Sequence, residues 1–222
     1  MKTFRILSVL LLTLTITSCG NLYSRYSINL DCAPPCFMGI TPGLTSALET
    51  SELLLSSSLV DKNSIFGTGM LKSHWYPISY SYNWEFINGE RGIVWLASES
   101  KVVYIELVNP KINLSQFFEL YGEPSELFVV PYWGNKTHVY LVYSELGVIL
   151  DVRETLSRKN VLSLGTMDRI KTINYIDKTL LDSVIHFFIF GDVYEETPES
   201  DLALIKQNWK GFGQYTSINY WN

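Results

Sequence analysis

Only three cysteines and three histidines occur in this 222-residue chain, and charged residues make up just 18% of it. That shortage removes several function classes at once. His74, His138 and His186 lie far apart and none is closely spaced with a cysteine, so a zinc site lacks ligands. Each histidine reads as an ordinary structural residue. No Gly-x-Ser-x-Gly elbow, phosphate loop or dinucleotide fingerprint occurs. Gly67-Thr68-Gly69 is too short to count as a phosphate loop and is expected in a connecting loop. Carboxylates are not paired in any catalytic spacing. Glu195, Glu196 and Glu199 read as a solvated acidic loop. Basic clusters are missing too, and the formal net charge is −5. Both facts argue against nucleic-acid binding and against charge-driven docking to anionic lipid. The reading is a non-enzymatic protein with no cofactor and no metal.

What the chain has in quantity is apolar and aromatic material. Hydrophobic residues reach 47%, with 14 Tyr and 6 Trp. That is enough for a packed core in one ordinary domain, and the aromatic bias favours strands.

The first 18 residues have the three parts of an export leader. Lys2 and Arg5 give a positive start, Ile6 to Ile16 is almost wholly apolar, and Thr17-Ser18 precede Cys19. The apolar run is too short to span a bilayer, which takes about 20 residues. Ile16-Thr17-Ser18-Cys19 resembles the lipobox of bacterial lipoproteins. The resemblance implies that Cys19 receives a diacylglyceryl group and that the leader is cut just before it. Loss of Lys2 and Arg5 then takes the net charge to about −7. Gly20, where Asp would favour inner-membrane retention, implies the outer membrane if the cell is Gram-negative, and otherwise the outer face of the cell membrane. Residues 19–31 then form a lipidated tether, and residues 32–222 a single domain.

Cys32 and Cys36 flank Ala33-Pro34-Pro35. Export to an oxidising compartment favours a local disulfide, and two free buried thiols are the other reading. The spacing differs from C-x-x-C, so redox catalysis gains no support.

Along the domain, Thr41-Pro42-Gly43-Leu44-Thr45 reads as a helix start with Thr as its cap. Leu44, Ala47, Leu48, Leu54 and Leu55 form its apolar stripe. Ile78 to Phe86 alternates apolar and polar residues, and Asn88-Gly89 then marks a hairpin into Gly92 to Leu96. Lys101 to Val108 supplies a third strand. Asn113 and Gln116 set up a capping box for a second helix, closed by Gly122 and Pro124. Strands at 127–133, 137–143 and 148–152 follow. The order is helix then three strands, twice, which predicts an α+β fold with helices on an antiparallel sheet and two repeats, halves 37–110 and 111–222. In the tail, Arg169 to Ile176 reads as a strand, and Thr179 to Phe190 as helix or strand. Pro198 to Asn208 reads as a short helix, and Trp209 to Tyr215 as an aromatic turn.

Pro35-Cys36-Phe37-Met38-Gly39-Ile40-Thr41-Pro42-Gly43, Tyr121-Gly122-Glu123-Pro124-Ser125 and Trp209-Lys-Gly-Phe-Gly together resemble landmarks of an uncharacterised bacterial lipoprotein family. Phe37 stands where that family commonly has Trp. Pro42-Gly43-Leu44-Thr45 and Gly122-Glu123-Pro124 are similar in part to the BamE-like small α+β lipoproteins of outer-membrane assembly. These resemblances imply architecture and not chemistry.

Tyr80, Tyr82 and Trp84 fall on one sheet face by alternation. They are either core packing or an exposed platform for glycans. The leading functional expectation is a membrane-anchored envelope protein that binds a protein partner or organises the envelope. A glycan- or small-ligand-binding lipoprotein is the alternative.

Overall fold

A computed structural model describes residues 32–69, 78–97, 100–132, 136–155, 161–190 and 205–216. The leader, Cys19, the tether, His74 and the acidic loop at 195–199 lie outside these residues. The fold is α+β and mostly antiparallel sheet. In chain order the elements are α1 (Ala47–Ser56), β1 (Val60–Gly69), β2 (Ile78–Phe86), β3 (Arg91–Ala97), β4 (Val102–Val108), α2 (Leu114–Tyr121), β5 (Glu126–Tyr132), β6 (Lys136–Tyr143), β7 (Val148–Thr155), β8 (Val161–Leu164), β9 (Thr172–Ile176), α3 (Leu181–Phe190), β10 (Lys206–Asn208) and β11 (Gly213–Thr216).

Nine strands form one sheet in the order β1-β2-β3-β4-β9-β7-β6-β5-β10, and β8 pairs separately with β11. Every strand pairing is antiparallel. The centre of the sheet is the β4–β9 ladder, whose middle pair is Glu106 with Asn174.

Alternation sorts the side chains into two clusters. The larger holds Val94, Ile105, Leu107, Val139, Leu141, Leu150, Ile173 and Tyr175, together with Leu54 of α1 and Leu114 and Phe117 of α2. Phe37 and Ile40, from the segment just after the disulfide, join it, and Phe37 stacks on Tyr175 at 5.4 Å. The smaller cluster holds Tyr104, Phe128, Tyr140, Val142 and Ile149 with Leu181, Val184 and Ile185 of α3.

Several expectations need correction. Helix α1 starts at Ala47 with Ser46, not Thr41, as its cap. Residues 41–45 form a turn instead. Gly43 has φ +81°, outside the helical region, and its N–H donates to Val102 O. Four strands follow α1 rather than three, because β1 lies at the sheet edge and is largely polar on both faces. Gly67 and Gly69 therefore sit in a strand, not a loop. A Cβ on Gly67 would meet the Tyr80 hydroxyl at 1.5 Å, so the tyrosine ring occupies the space that the glycine leaves. Residues 206–208, expected in a helix, are extended and pair with Leu127 and its neighbours on the otherwise open edge of β5. Likewise, residues 213–216 leave the aromatic turn to pair with β8. The ambiguous tail segment at 181–190 is helical.

The Asn88-Gly89 signal ends in a hairpin of β2 and β3, with three loop residues, Ile87 to Gly89. Gly89 N donates to Phe86 O, and Gly89 takes the left-handed φ of +81° that a three-residue loop needs. Buried Glu90 fastens this loop to the next connection. It accepts from Asn88 Nδ2 and from the Lys111 backbone N–H.

Candidate interaction surface

Helix α1 is held rigidly at its start. Ser46 Oγ accepts from Glu49 N at 3.3 Å, and the Glu49 carboxylate accepts from Ser46 N at 2.8 Å. Ser46 also bridges to Lys101, and Ala47 N donates to Ser100 O. The helix thus has a fixed rotation about its own axis. Thr50 and Leu54 turn inward, and Ala47 and Leu53 pack against the core beside them.

The expected single stripe therefore splits in two. At 3.6 residues per turn, Leu48 and Leu55 fall on a separate line from Thr50 and Leu54, and Leu44 lies in the turn that precedes the helix. That line faces out. Leu44 is 76% exposed, Leu48 71% and Leu55 48%. Leu59 and Ile87, joined by the hydrogen bond from Ile87 N to Leu59 O, are also exposed. Alongside runs an open groove of about 510 Å³, lined by residues that include Leu44, Thr45, Glu49, Glu52 and Leu53. Single exposed leucines are unremarkable, but several beside a groove make this face the candidate surface.

The aromatic face behaves differently. Tyr80, Tyr82 and Trp84 do share one side of β2, but burial increases along it. Tyr80 is exposed, Tyr82 half-buried, and Trp84 is 1% exposed within the core. Trp84 is thus not a platform residue. Tyr80 and Tyr82 meet edge to face at 5.1 Å.

Cys32 and Cys36 form a disulfide, with Cα atoms 5.6 Å apart. The link closes the loop just before Phe37 and Ile40 enter the core.

A feature that the sequence reading missed lies on the other side of the sheet. Strands β4, β9, β7 and β6 are apolar runs, each broken by polar residues. The pairing order brings these residues together. Glu106 faces Asn174, Thr172 faces Asp151, and Asp151 faces Tyr140. His138 Nδ1 lies 3.2 Å from Asp151 Oδ1 with both side chains buried. Tyr140 OH donates to Phe188 O of α3 at 3.1 Å, and Asn174 Nδ2 donates to Thr172 Oγ1 at 3.0 Å. The first two contacts tie β6, β7 and α3 together, and the third lies within β9. His186 lies on α3, half-buried. Among the described residues no group of three His, Cys, Asp or Glu side chains is placed to hold a metal ion.

Burial pushes the Glu106 carboxyl above its usual range. The Asp151 charge adds to this, while the Trp95 indole, Lys171 and Arg91 oppose it. The folded state thus prefers protonated Glu106. Its contribution to stability is complete below the ordinary carboxyl value and is lost as pH rises through the raised one. Glu106→Gln removes this dependence. The denaturation midpoint of the variant, relative to wild type, is expected to climb between pH 4 and pH 8. A pH-independent difference in urea titrations at the two values would refute the assignment.

Comparison with protein-family models, with curated proteins and with solved structures finds no match to this chain. The two resemblances above rest on the quoted residues alone.

Proposed function

We propose that this chain is a lipid-anchored cell-envelope protein whose folded body docks a protein partner through the outer face of α1. The observation that carries the docking half is the exposure of Leu48 and Leu55 on the outer side of α1, with Leu44 exposed just before it, beside a groove. Burying one leucine is worth about 1.5–3 kcal/mol, so covering several supplies a useful affinity. The anchor half rests on the leader and on Ile16-Thr17-Ser18-Cys19. Among the described residues no helix is long and apolar enough to cross a membrane. We take the role to be non-enzymatic and the location to be the outer membrane in a Gram-negative cell. The glycan alternative is set aside because Trp84 is buried and Tyr82 half-buried, which leaves Tyr80, 37% exposed, as the open ring of the three.

We infer also that the body is two copies of one unit, a helix and an antiparallel meander, with both helices on the same sheet face. Two details support this. The caps Ser46 and Asn113 both carry capping boxes, and each bridges the segment that leads into the last strand of its half, at Lys101 and Arg169. The strand order also reads outward symmetrically from the β4–β9 pair, so β3 matches β7 and β2 matches β6. A two-fold axis through the Glu106–Asn174 pair relates the halves in this reading. It is this likeness within the chain that the partial BamE-like resemblance of each half would reflect.

A photo-crosslinking residue placed at Leu48 in living cells tests the docking half. We expect one discrete adduct that fades when Leu44 and Leu55 become serine and that is missing when the probe sits at exposed Ser163 in β8. A smear at both positions, or no adduct, would overturn it.

A further inference from the structure

We infer that the occupant of the α1 face is an amphipathic helix carrying basic residues, about three turns long, belonging to a partner protein. The inference rests on the docking reading above and goes on to state the chemistry of the partner.

The shape of the face selects a helix. Leu48 and Leu55 stand two turns apart on α1, whose ten residues run about 15 Å at 1.5 Å per residue, and Leu44 is exposed in the turn just before it. A second helix laid along this ridge satisfies its own backbone hydrogen bonds. An extended strand there would find no backbone ladder to join, because the groups presented are side chains of a helix.

Charge selects the flank. The groove beside the leucines carries two carboxylates, Glu49 and Glu52, and no cation among its lining residues. Both glutamates are exposed. Hydrogen bonds from Ser46 hold the Glu49 carboxyl below its usual range, so it stays ionised. The last turn of α1 has no basic residue to offset its partial negative charge. Lysine or arginine on the partner answers all three features. A second copy of this chain does not, since it would bring Glu49 and Glu52 against a like-charged surface in a protein of net charge −5. An anionic bilayer is disfavoured for the same reason.

The test uses the full chain in nanodiscs of zwitterionic lipid and two fluorescent helical peptides. The peptides share the same leucine positions, and their flanks carry either lysine or glutamate. Anisotropy titrations are expected to show the lysine peptide binding about tenfold more tightly. The gap should shrink with added salt and nearly close in the E49Q/E52Q double variant. Leu48→Ser with Leu55→Ser should weaken the lysine peptide about tenfold or more while leaving circular dichroism unchanged. Equal affinity for the two peptides overturns the inference. So does binding that ignores the leucine substitutions, which would place the peptide on lipid. A dimer that Leu48→Ser abolishes overturns it by naming a second copy as the occupant. Intact mass reports the lipid independently. A chain without lipid enters the same titration free of discs, so failure of the anchor and failure of the docking face give different results.

Discussion

Trp84→Ala is expected to remove about 3–5 kcal/mol of folding stability, the usual range for deleting a large buried aromatic. Domains of this size are stable by about 5–15 kcal/mol, so the variant should be marginal or unfolded. The reason lies in one contact between neighbouring strands. Trp84 on β2 pairs across from Gly92 on β3. Its ring lies flat on that glycine, and a Cβ at position 92 would fall 2.0 Å from Trp84 Cζ2. Trp84 also meets Phe86 edge to face at 5.9 Å, and both rings belong to the larger cluster. The glycine supplies a hollow and the tryptophan fills it. Gly92→Ala should therefore cost about 1–3 kcal/mol through overpacking. In a Trp84→Ala background the same change should cost almost nothing, because the clash has gone. Trp84→Phe should lose far less than alanine does. It keeps most of the ring and removes Nε1, a buried donor with no hydrogen-bond partner among the described residues. Guanidinium unfolding of the four variants gives the coupling directly. Additive losses at 84 and 92, or a Trp84→Ala cost below about 1 kcal/mol, would show that this contact does not organise the sheet.

That contact also shows where sequence reading succeeds and where it stops. Local signals were legible. Asn88-Gly89 marks its hairpin because few residues tolerate the left-handed conformation that the loop demands, and Asn113 with Gln116 marks the start of α2 because orphan N–H groups need acceptors. The alternation at 78–86 gives β2 and its inward face correctly. It does not give the depth of each ring, since burial depends on what lies across. Tyr80 is near the rim and Trp84 deep within. Edge strand β1 escaped notice because Asp61, Lys62, Asn63 and Ser64 look like a loop, and an edge needs such residues to discourage further pairing. The buried polar strip is a matter of topology. A lone Glu106 among Val, Tyr, Ile and Leu is visible in the sequence, as are Asp151 and Asn174 in their own apolar runs. That they meet depends on β4 pairing with β9 and β9 with β7, and no local rule supplies those pairings. The outward face of α1 was hidden by a choice of axis. Leu44, Leu48 and Leu55 seem to share a stripe with Leu54 until the rotation of the helix is fixed by the bridge from Ser46 to Lys101.

Cys19→Ser, exported behind an ordinary cleavable leader, should abolish the proposed membrane attachment while leaving the folded body unchanged. Serine cannot form the thioether, so no diacyl group is added, and the ordinary leader is removed without it. Each buried methylene contributes about 0.8 kcal/mol, and a single acyl chain holds a protein only marginally, whereas two hold it stably. Nothing else on offer replaces that energy. The mature chain, at a net charge of about −7, gains nothing from anionic headgroups, and the described helices do not span a bilayer. Wild-type protein should float with membranes and show a mass increase on its first peptide, and the variant should do neither. Thermal unfolding of the two bodies should coincide, because residue 19 lies outside the described fold. The loss should also reach the α1 face. On the proposed anchor, a linker of about a dozen residues has a mean reach of about 20 Å, which would confine the body to a thin layer above the bilayer. A partner held in the same membrane then meets the Leu44–Leu48–Leu55 face at an effective concentration near the millimolar range. An interface of modest area is enough under that confinement and is too weak without it. Crosslinking through position 48 should accordingly fall by about 100-fold in Cys19→Ser, although no atom of the face has changed. Membrane flotation that survives the substitution, or an unmodified Cys19 thiol in the wild-type protein, would leave the anchor without a basis.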